Sequence, residues 1–360
     1  MAHYNKRLIT FFMTTKCNLR CTYCITSSMD REEQFLDLDF ARSALEEYFE
    51  QTRNYKVRFY AVGEPTQNLE GIKAVHQMAQ EMSGGQTYFE MISNGVYSPD
   101  TLEWVGNNID RVWISYDGPR DNNDRYRLTP TGGTSTEKVI DTITKLKDMT
   151  SVGIGLTVSK TNCFRQKEVI DEANEIGVKS VFSKAVLDPV DKTGVDTGWG
   201  VNIMDYAEGY LDAWRYARGL GISYLNDLVF NFDGRCPINC RACSPTPHIT
   251  MDGYVSSCDR AYGGDTPLQD LIYGKWDPER RKIEYWPDRI RGIQSRNVHN
   301  MPECRDCEVR YQCGGQCLGT TYQFTGDMYK VLDTFCPAIK YLHRHMNLNK
   351  GEHWPVEYET

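Results

Sequence analysis

The chain has 360 residues, enough for two or three domains of ordinary size or for one large barrel with an appendage. With 40% hydrophobic and 25% charged residues its composition is that of a globular protein, and 49 acidic against 41 basic residues argue against a nucleic-acid surface. No apolar run approaches the roughly 20 residues that span a bilayer, and the N-terminus lacks the features of a signal peptide. We therefore expect a cytoplasmic protein without a membrane or nucleic-acid partner.

The first half of the chain alternates β-rich runs with longer amphipathic segments, a pattern that predicts βα units around a parallel sheet. The candidate strands are Leu8–Thr14, Lys56–Val62, Thr87–Ser93, Arg111–Tyr116, Val152–Ser159 and Lys179–Ala185. The candidate helices between them are Leu38–Gln51, Leu69–Met82, Ser135–Asp148 and Lys167–Glu175. Since six such units fall short of a complete eight-fold barrel, we predict an α/β fold with a partial (βα)6 barrel over residues 1–186.

The second half of the chain has a different composition. Residues 187–235 contain no cysteine and one helical pattern, Asp205–Arg218, which predicts a bridging region. Residues 236–346 hold nine of the thirteen cysteines among Gly, Pro, Asp and Arg, which predicts a second domain held together by metal and closed by a helix over Ala338–Met346. Residues 347–360 are predicted to be a tail.

The thirteen cysteines are an odd number in a long chain, which favours metal ligation over a disulfide framework. Three of them, Cys17, Cys21 and Cys24, lie in the sequence CNLRCTYC directly after the first predicted strand. Three thiolates leave one position of a tetrahedral site open, and an open position indicates chemistry rather than structure.

This loop resembles the signature of radical S-adenosylmethionine (radical SAM) enzymes. In that family the three cysteines hold a 4Fe-4S cluster whose fourth iron is chelated by S-adenosylmethionine, and one electron cleaves that cofactor to a 5′-deoxyadenosyl radical. A zinc knuckle is the alternative interpretation, although no fourth ligand lies nearby in the sequence.

Loops after the later strands extend the resemblance. Gly63-Glu64-Pro65 is similar to the family's GGEP loop, which holds the cofactor's amino group, although Val62 stands in place of the first glycine. The segments beginning at Ser93 and Ser115 are similar to its TNG and S-x-DGP segments, and Asp124 to Arg127 resembles a turn whose arginine reaches the cofactor carboxylate.

Taken singly, Glu64, Ser115 and Arg127 also fit a solvated acid, a turn cap and a surface ion pair. The cofactor contacts that the resemblance implies are Tyr23, Gly63, Glu64, Pro65, Ser93, Asn94, Ser115, Arg127 and Leu156.

The later cysteines are spaced as in the SPASM domain, an extension that binds auxiliary iron–sulfur clusters in peptide- and protein-modifying radical SAM enzymes. The resemblance implies an outer 4Fe-4S cluster on Cys304, Cys307, Cys313 and Cys336, and an inner one on Cys243, Cys258, Cys317 and either Cys236 or Cys240. Cys236 lies closer to the upstream position seen in the family. Three clusters in all use eleven of the thirteen cysteines, and a zinc ribbon over Cys304 to Cys317 is the alternative.

Two further residues are candidates for chemistry. Asp259 directly follows Cys258, as does the substrate base of anaerobic sulfatase-maturating enzymes, which this stretch resembles. Its alternative is a structural salt bridge to Arg260 or Arg235. Cys163 follows the fifth predicted strand and is either a hydrogen donor facing the radical or a small buried hydrophobe.

The resemblance implies an oxidoreductase that abstracts a hydrogen atom and modifies or cross-links a peptide or protein side chain, with flavodoxin or ferredoxin as reductant. Only sixteen residues precede Cys17, which favours a separate peptide-recognition protein or a small substrate. A carbohydrate or aminocyclitol dehydrogenase or epimerase is the enzymatic alternative. An electron-transfer protein is the non-enzymatic one, but it would leave the Glu64 loop without a purpose.

Overall fold

The computed structural model describes residues 7–26, 30–187, 198–346 and 348. Within these ranges the strands are β1 (Ile9–Phe12), β2 (Lys56–Tyr60), β3 (Tyr88–Ser93), β4 (Arg111–Ser115), β5 (Ser151–Val158), β6 (Ser180–Ala185), β7 (Ser223–Asn226), β8 (His248–Ile249), β9 (Tyr254–Ser256), β10 (Ile272–Asp277) and β11 (Lys282–Tyr285). They form one sheet in the order β11-β10-β9-β8-β1-β2-β3-β4-β5-β6-β7.

The helices of the described ranges cover the sheet and fill its connections. They are α1 (Leu38–Thr52), α2 (Leu69–Ser83), α3 (Pro99–Asn108), α4 (Arg120–Tyr126), α5 (Thr136–Leu146), α6 (Gln166–Ile176), α7 (Ile203–Gly219), α8 (Pro287–Ser295), α9 (Arg310–Cys313), α10 (Leu318–Thr325) and α11 (Phe335–His345). None of those in the described ranges is long and apolar enough to cross a membrane.

Strands β1 to β7 are parallel and pair in chain order. All four residues of β1 are buried, as expected for a strand covered on both faces. Helix α1 begins where the Asp37 carboxylate accepts the backbone N–H of Phe40, and α2 ends at Gly84, which adopts the left-handed conformation that favours glycine. The prediction of an α/β partial barrel with six βα units is confirmed.

The boundary between barrel and bridge is not where the sequence predicted it. Helix α7 and β7 both fall in the predicted bridging region 187–235, and β7 pairs in parallel with β6. They therefore add a seventh strand to the sheet. The short helices α3 and α4 were also not predicted, because neither has a clear apolar period.

The cysteine-rich half of the chain is joined to the same sheet. Strand β8 pairs in parallel with β1, and β9, β10 and β11 continue from it as an antiparallel ladder. Helix α11 packs against α7. The loops that carry the later cysteines are thereby fixed relative to the first barrel strand.

Candidate active site

The loop that carries Cys17, Cys21 and Cys24 follows β1 and is braced on the chain after α4. The backbone N–H of Arg20 donates to the carbonyl of Leu128 at 2.7 Å. All three thiols are partly buried, and none of the thirteen cysteines, all of which are described, forms a disulfide. Burial raises the pKa of Cys21 to about 11, while the nearby Arg127 guanidinium acts against that rise. The loop thus presents three thiols beside one buried cation.

Gly63 is packed against this loop. A Cβ atom there would lie 2.1 Å from the carbonyl oxygen of Lys16, so only glycine allows the Glu64 loop to approach Cys17 this closely. The backbone N–H of Glu64 donates to the same carbonyl at 2.8 Å. Val62, which departs from the family's pattern, is buried, and its carbonyl accepts the Thr26 hydroxyl.

The Glu64 carboxylate is 1% exposed and held by four hydrogen bonds. Its Oε1 accepts the Thr66 N–H, the Thr66 hydroxyl and the Ser93 hydroxyl, and its Oε2 accepts the Asn94 N–H at 2.7 Å. Burial raises the pKa of Glu64, and these hydrogen bonds oppose the rise. Oε2 keeps one acceptor position for a donor such as an ammonium group.

Asn94 links the Glu64 loop to the cysteine loop. Its side-chain amide donates to Asn18 Oδ1 at 2.7 Å and lies 4.0 Å from the Cys17 sulfur. Asn18 in turn donates to the carbonyl of Val96 at 2.8 Å. The predicted contacts Glu64, Ser93 and Asn94 are thus brought together beside Cys17.

A second buried group joins Tyr23, Asp117 and Arg127. The Tyr23 hydroxyl donates to Asp117 Oδ2 and accepts from Arg127 Nη1 at 3.1 Å, and Arg127 lies 3.9 Å from the Asp117 carboxylate. The backbone N–H of Thr157 donates to Asp117 Oδ1 at 3.0 Å. Within the described ranges the buried Arg127 Nε has no hydrogen-bond partner, which fits an anionic group of a bound molecule. Sequence reasoning quoted Asp117 only as part of its loop, and missed its contact with Tyr23.

Two other predicted cofactor contacts, Ser115 and Leu156, lie in different surroundings from each other. Ser115 ends β4 opposite Gly155 and is partly buried, beside the Tyr23 group. Leu156 pairs with Ser183, whose hydroxyl contacts Tyr206 of α7. Because paired residues of neighbouring strands point to the same face, the Leu156 side chain faces the helices and not the barrel interior. Cys163 also faces α7, where its carbonyl lies against Gly209, so it is a core residue.

Four of the later thiols converge beside β9. Burial raises the pKa of Cys240 well above its usual value, and the neighbouring Cys243, Cys317 and Cys258 add to the rise. Gly319 lies against this group, since a Cβ atom there would be 2.8 Å from the Cys258 sulfur. These four residues, called the inner thiols below, include Cys240. Cys236, which the sequence slightly favoured, is not in this group, and the choice between Cys236 and Cys240 as a cluster ligand stays a prediction.

The hydrogen bonds of the loop from Cys236 to Cys240 account for the different positions of these two cysteines. Cys240 opens a tight turn in which the Cys243 N–H donates to its carbonyl at 3.2 Å. Cys236 instead donates its N–H to the carbonyl of Tyr311 at 2.8 Å, and Asn239 donates to the carbonyl of Cys313. These hydrogen bonds hold the loop so that Cys240, and not Cys236, lies near the other inner thiols.

The outer thiols are Cys304, Cys307, Cys313 and Cys336. Burial raises the pKa of Cys304 to about 11, and Cys307 and Cys336 add to it. The Gln316 amide donates to the Cys336 sulfur at 3.3 Å. No three His, Cys, Asp or Glu side chains of the described ranges converge tightly enough to hold a single metal ion. The ligand sets therefore stay predictions.

Arg296 was missed by sequence reasoning. It is fully buried, and its Nη1 donates to the carbonyls of Gly314 and Gln316 at 3.3 and 3.1 Å and lies 3.8 Å from the Cys243 sulfur. A guanidinium beside a thiol favours the thiolate, which is the form that binds metal. Its position between α8 and the cysteine loops carries no sequence signal.

Asp259 is bound by an arginine and a histidine, neither of them predicted. Arg58 Nη2 donates to Asp259 Oδ1, and His248 Nε2 lies 2.7 Å from the same oxygen. Burial opposes ionisation, but Arg58 and His248 hold the pKa of Asp259 well below its usual range. The predicted salt bridges to Arg260 or Arg235 are not formed. A charge within the apolar strand KVRFY was the available signal for Arg58.

Tyr60 connects the two halves of the site. It is two residues beyond Arg58 on the same face of β2, and the Arg58 guanidinium lies 5.6 Å from its ring centre. Burial raises the pKa of Tyr60, and the negative charges of Asp259 and Cys24 raise it further. Tyr60 is therefore within electrostatic range of both the first cysteine loop and Asp259.

Residues 11–173 match the Radical SAM superfamily. The chain is 23% identical to the radical SAM cyclopropyl synthase TigE of Paramaledivibacter caminithermalis, over 94% of the chain and 74% of that protein. It is 26% identical to the cysteine-type anaerobic sulfatase-maturating enzyme of Clostridium novyi, over 68% of the chain and 71% of that protein.

Solved structures share the fold. The anaerobic sulfatase-maturating enzyme anSMEcpe, with bound AdoMet and the Cp18Cys peptide, matches with a TM-score of 0.75 at 17% identity, over 94% of this chain and 96% of that one. Streptococcus suis SuiB bound to the precursor peptide SuiA matches with a TM-score of 0.67 at 14% identity, over 93% of this chain and 76% of that one.

Proposed function

We propose that the chain is a radical SAM enzyme, since residues 11–173 match that superfamily, and that it oxidises or cross-links a peptide or protein side chain. Two kinds of support favour a peptide. The relatives named above include a peptide-bound maturase and a precursor-bound enzyme, and the chain covers most of their length. The nine cysteines of residues 236–346, eight of which the SPASM resemblance assigns to two auxiliary clusters, support the same class of enzyme.

The residues around Cys17 fit S-adenosylmethionine. Glu64 Oε2 has room for its ammonium group, and the unpartnered Arg127 Nε fits its carboxylate. Tyr23 and Asp117 hold Arg127 in place, and Asn94 fixes the Glu64 loop against Cys17. When bound to a cluster on Cys17, Cys21 and Cys24, this cofactor supplies the 5′-deoxyadenosyl radical that removes a hydrogen atom.

We assign one auxiliary 4Fe-4S cluster to the inner thiols and one to the outer thiols. Removing a second electron from the substrate leaves the oxidised product, and the inner thiols lie next to Asp259 and so beside the substrate. The outer thiols would pass that electron outward, and the first electron would come from a flavodoxin or ferredoxin. This arrangement gives a net two-electron oxidation.

Asp259 is proposed to accept the proton that leaves with the second electron. Its Oδ1 is occupied by Arg58 and His248, and within the described ranges Oδ2 forms no hydrogen bond, which leaves it for the substrate. The Asp259 side chain is 38% exposed, so a substrate can reach it. A positioned carboxylate of this kind contributes about 100-fold to 10,000-fold as a general base.

The observation that carries the proposal is the Asp259 carboxylate, which Arg58 and His248 hold directly after Cys258 of the inner thiols. It is tested by co-expressing the enzyme anaerobically with each short peptide encoded beside its gene and weighing the peptides by mass spectrometry. We expect one peptide to lose two hydrogen atoms for each S-adenosylmethionine cleaved. Unchanged peptides, with oxidation or epimerisation of a sugar or aminocyclitol instead, would establish the carbohydrate alternative.

A further inference from the structure

A narrow crevice lies between the ends of β6 and β7 and helices α10 and α11, and Arg260, the residue after Asp259, forms part of its lining. Its polar lining comes from Lys184, Asp227, Arg260 and Thr320, and Tyr206 and Phe335 close its sides. The carboxyl ends of parallel barrel strands are where such folds bind substrate. The crevice is thus placed to receive part of a substrate whose reacting atom lies at Asp259.

The charges in the crevice do not balance. Lys184 lies 3.8 Å from the Asp227 carboxylate, and Arg58 pairs with Asp259. Arg260 donates from Nη1 to the neutral side-chain oxygen of Gln323, and no carboxylate of the described ranges forms an ion pair with it. Within the described residues the Arg260 guanidinium therefore has no carboxylate partner, and the Cys258 thiol is an ionisable group beside it.

The Arg260 side chain is held in place by its neighbours. Its stem passes over Gly319, where a Cβ atom would lie 3.0 Å from Arg260 Cδ and 2.8 Å from the Cys258 sulfur. Gln323, one helical turn further along α10, fixes the guanidinium. The positive charge of Arg260 also acts against the rise in the pKa of Tyr60 that burial causes. The guanidinium is consequently preorganised at the edge of the crevice.

We propose that Arg260 binds a carboxylate of the substrate, so that the peptide presents an aspartate, a glutamate or its C-terminal carboxylate in this crevice. This inference rests on the proposed function and names its substrate class. A guanidinium recognises a carboxylate through two parallel hydrogen bonds, which fixes the orientation as well as the affinity. The carbon atoms next to the bound carboxylate then lie toward Tyr60 and Asp259.

Calorimetric titration of the reconstituted holoenzyme with blocked tripeptides tests the inference. We expect Ac-Gly-Glu-Gly-NH2 or Ac-Gly-Asp-Gly-NH2 to bind at least about tenfold more tightly than its amide counterpart, the scale of one charge-assisted hydrogen bond. Arg260→Gln should abolish the difference, and Arg291→Gln, at an exposed arginine paired with Asp288, should keep it. Iron content and S-adenosylmethionine cleavage without substrate should be unchanged in Arg291→Gln, and the iron content of Arg260→Gln is measured to show that its clusters are present.

The outcomes separate the two proposals. Equal binding of acidic and amide peptides would overturn the carboxylate subsite and leave the peptide function standing. Binding of glucuronate in an Arg260-dependent manner, with no peptide bound, would support the subsite and contradict the peptide function. Acid-selective binding that survives Arg260→Gln would overturn the assignment to Arg260, and so would the absence of binding by any of these probes.

Discussion

At the residue scale, Asp259 is the point where structural and catalytic interpretations meet. Arg58 and His248 both contact its Oδ1, which is what a structural ion pair requires. The same contacts fix the carboxylate beside Cys258 and keep it ionised, which a proton acceptor also requires. A substitution at Asp259 can separate its contribution to the stability of the fold from its contribution to turnover.

Asp259→Asn keeps the size of the side chain and removes its charge. We expect product formation to fall at least about a hundredfold, the scale of general-base loss, while S-adenosylmethionine cleavage without substrate is retained. The measurement is the ratio of product to 5′-deoxyadenosine. Asp265→Asn, in an exposed pair with Arg31, is the matched control and should leave the ratio unchanged. Near-normal turnover in Asp259→Asn would assign Asp259 a structural role only.

Arg127 allows a second test at this scale. Arg127→Lys keeps the positive charge beside Asp117 but loses the planar fork that carries the unpartnered Nε. The dissociation constant for S-adenosylmethionine should rise at least about tenfold, with iron content unchanged. Arg125→Lys, on the exposed side of α4, should bind the cofactor normally. Normal binding by Arg127→Lys would remove Arg127 from the cofactor site.

At the scale of elements, the loop from Cys236 to Cys243 decides which thiol completes the inner group. The contacts of Asn239 and Cys236 with α9 and the residues beside it hold the loop, and Cys240 is carried to the inner thiols. Spacing alone did not distinguish the two cysteines, because both lie within eight residues of Cys243. The choice depends on hydrogen bonds to a distant segment.

Cys240→Ala should therefore lose about four iron atoms per chain, one 4Fe-4S cluster, whereas Cys236→Ala should lose none. Iron and sulfide analysis of anaerobically purified protein gives the answer. The Cys236 variant is itself the matched control, since it removes a neighbouring thiol from the same loop. Loss of iron in Cys236→Ala alone would show that the loop binds metal in another arrangement.

Glu47 joins α1 to the far end of the sheet and gives the fold a pH dependence. The Tyr285 hydroxyl of β11 donates to its Oε2 at 2.9 Å, and burial raises the pKa of Glu47 from 4.5 to about 7. Because the folded pKa lies above the unfolded one, stability is full at low pH and falls as the pH rises from about 4.5 through about 7.

Glu47→Gln should remove this dependence. At pH 8 we expect a gain on the order of 1 kcal/mol in the free energy of unfolding, after allowing for the partial exposure of the group, and little gain at pH 5. Anaerobic chemical denaturation at the two pH values measures it. Glu46→Gln, at an exposed position of the same helix, is the control. A gain of equal size at both pH values would contradict a titrating Glu47.

At the scale of the whole molecule, the sequence predicted what depends on local pattern. The six first strands and the helices that cover them follow from apolar periodicity, and the grouping of Glu64, Ser93 and Asn94 beside Cys17 follows because parallel strands end at one edge. The seventh strand was missed, since Ser223–Asn226 is too short to show a period.

What the sequence did not predict depends on contacts across the fold. Arg58 meets Asp259 only because β8 joins β1 and places the later cysteines over the barrel. Arg296 lies beside Cys243, one of the inner thiols, although 53 residues separate the two in the sequence. Leu156 was predicted to contact the cofactor, but strand alternation turns it toward α7. Each of these requires the pairing register of the sheet, which one sequence does not supply.

The most direct test of the central claim is reductive cleavage of S-adenosylmethionine by a variant with Cys17, Cys21 and Cys24 all replaced by alanine. The native protein, purified anaerobically, should bind about twelve iron and twelve sulfide per chain and form 5′-deoxyadenosine with dithionite. The triple variant should keep about eight iron and form none, because the open iron site is lost while both auxiliary clusters remain. Continued formation of 5′-deoxyadenosine by that variant, or zinc without sulfide in the native protein, would contradict the account.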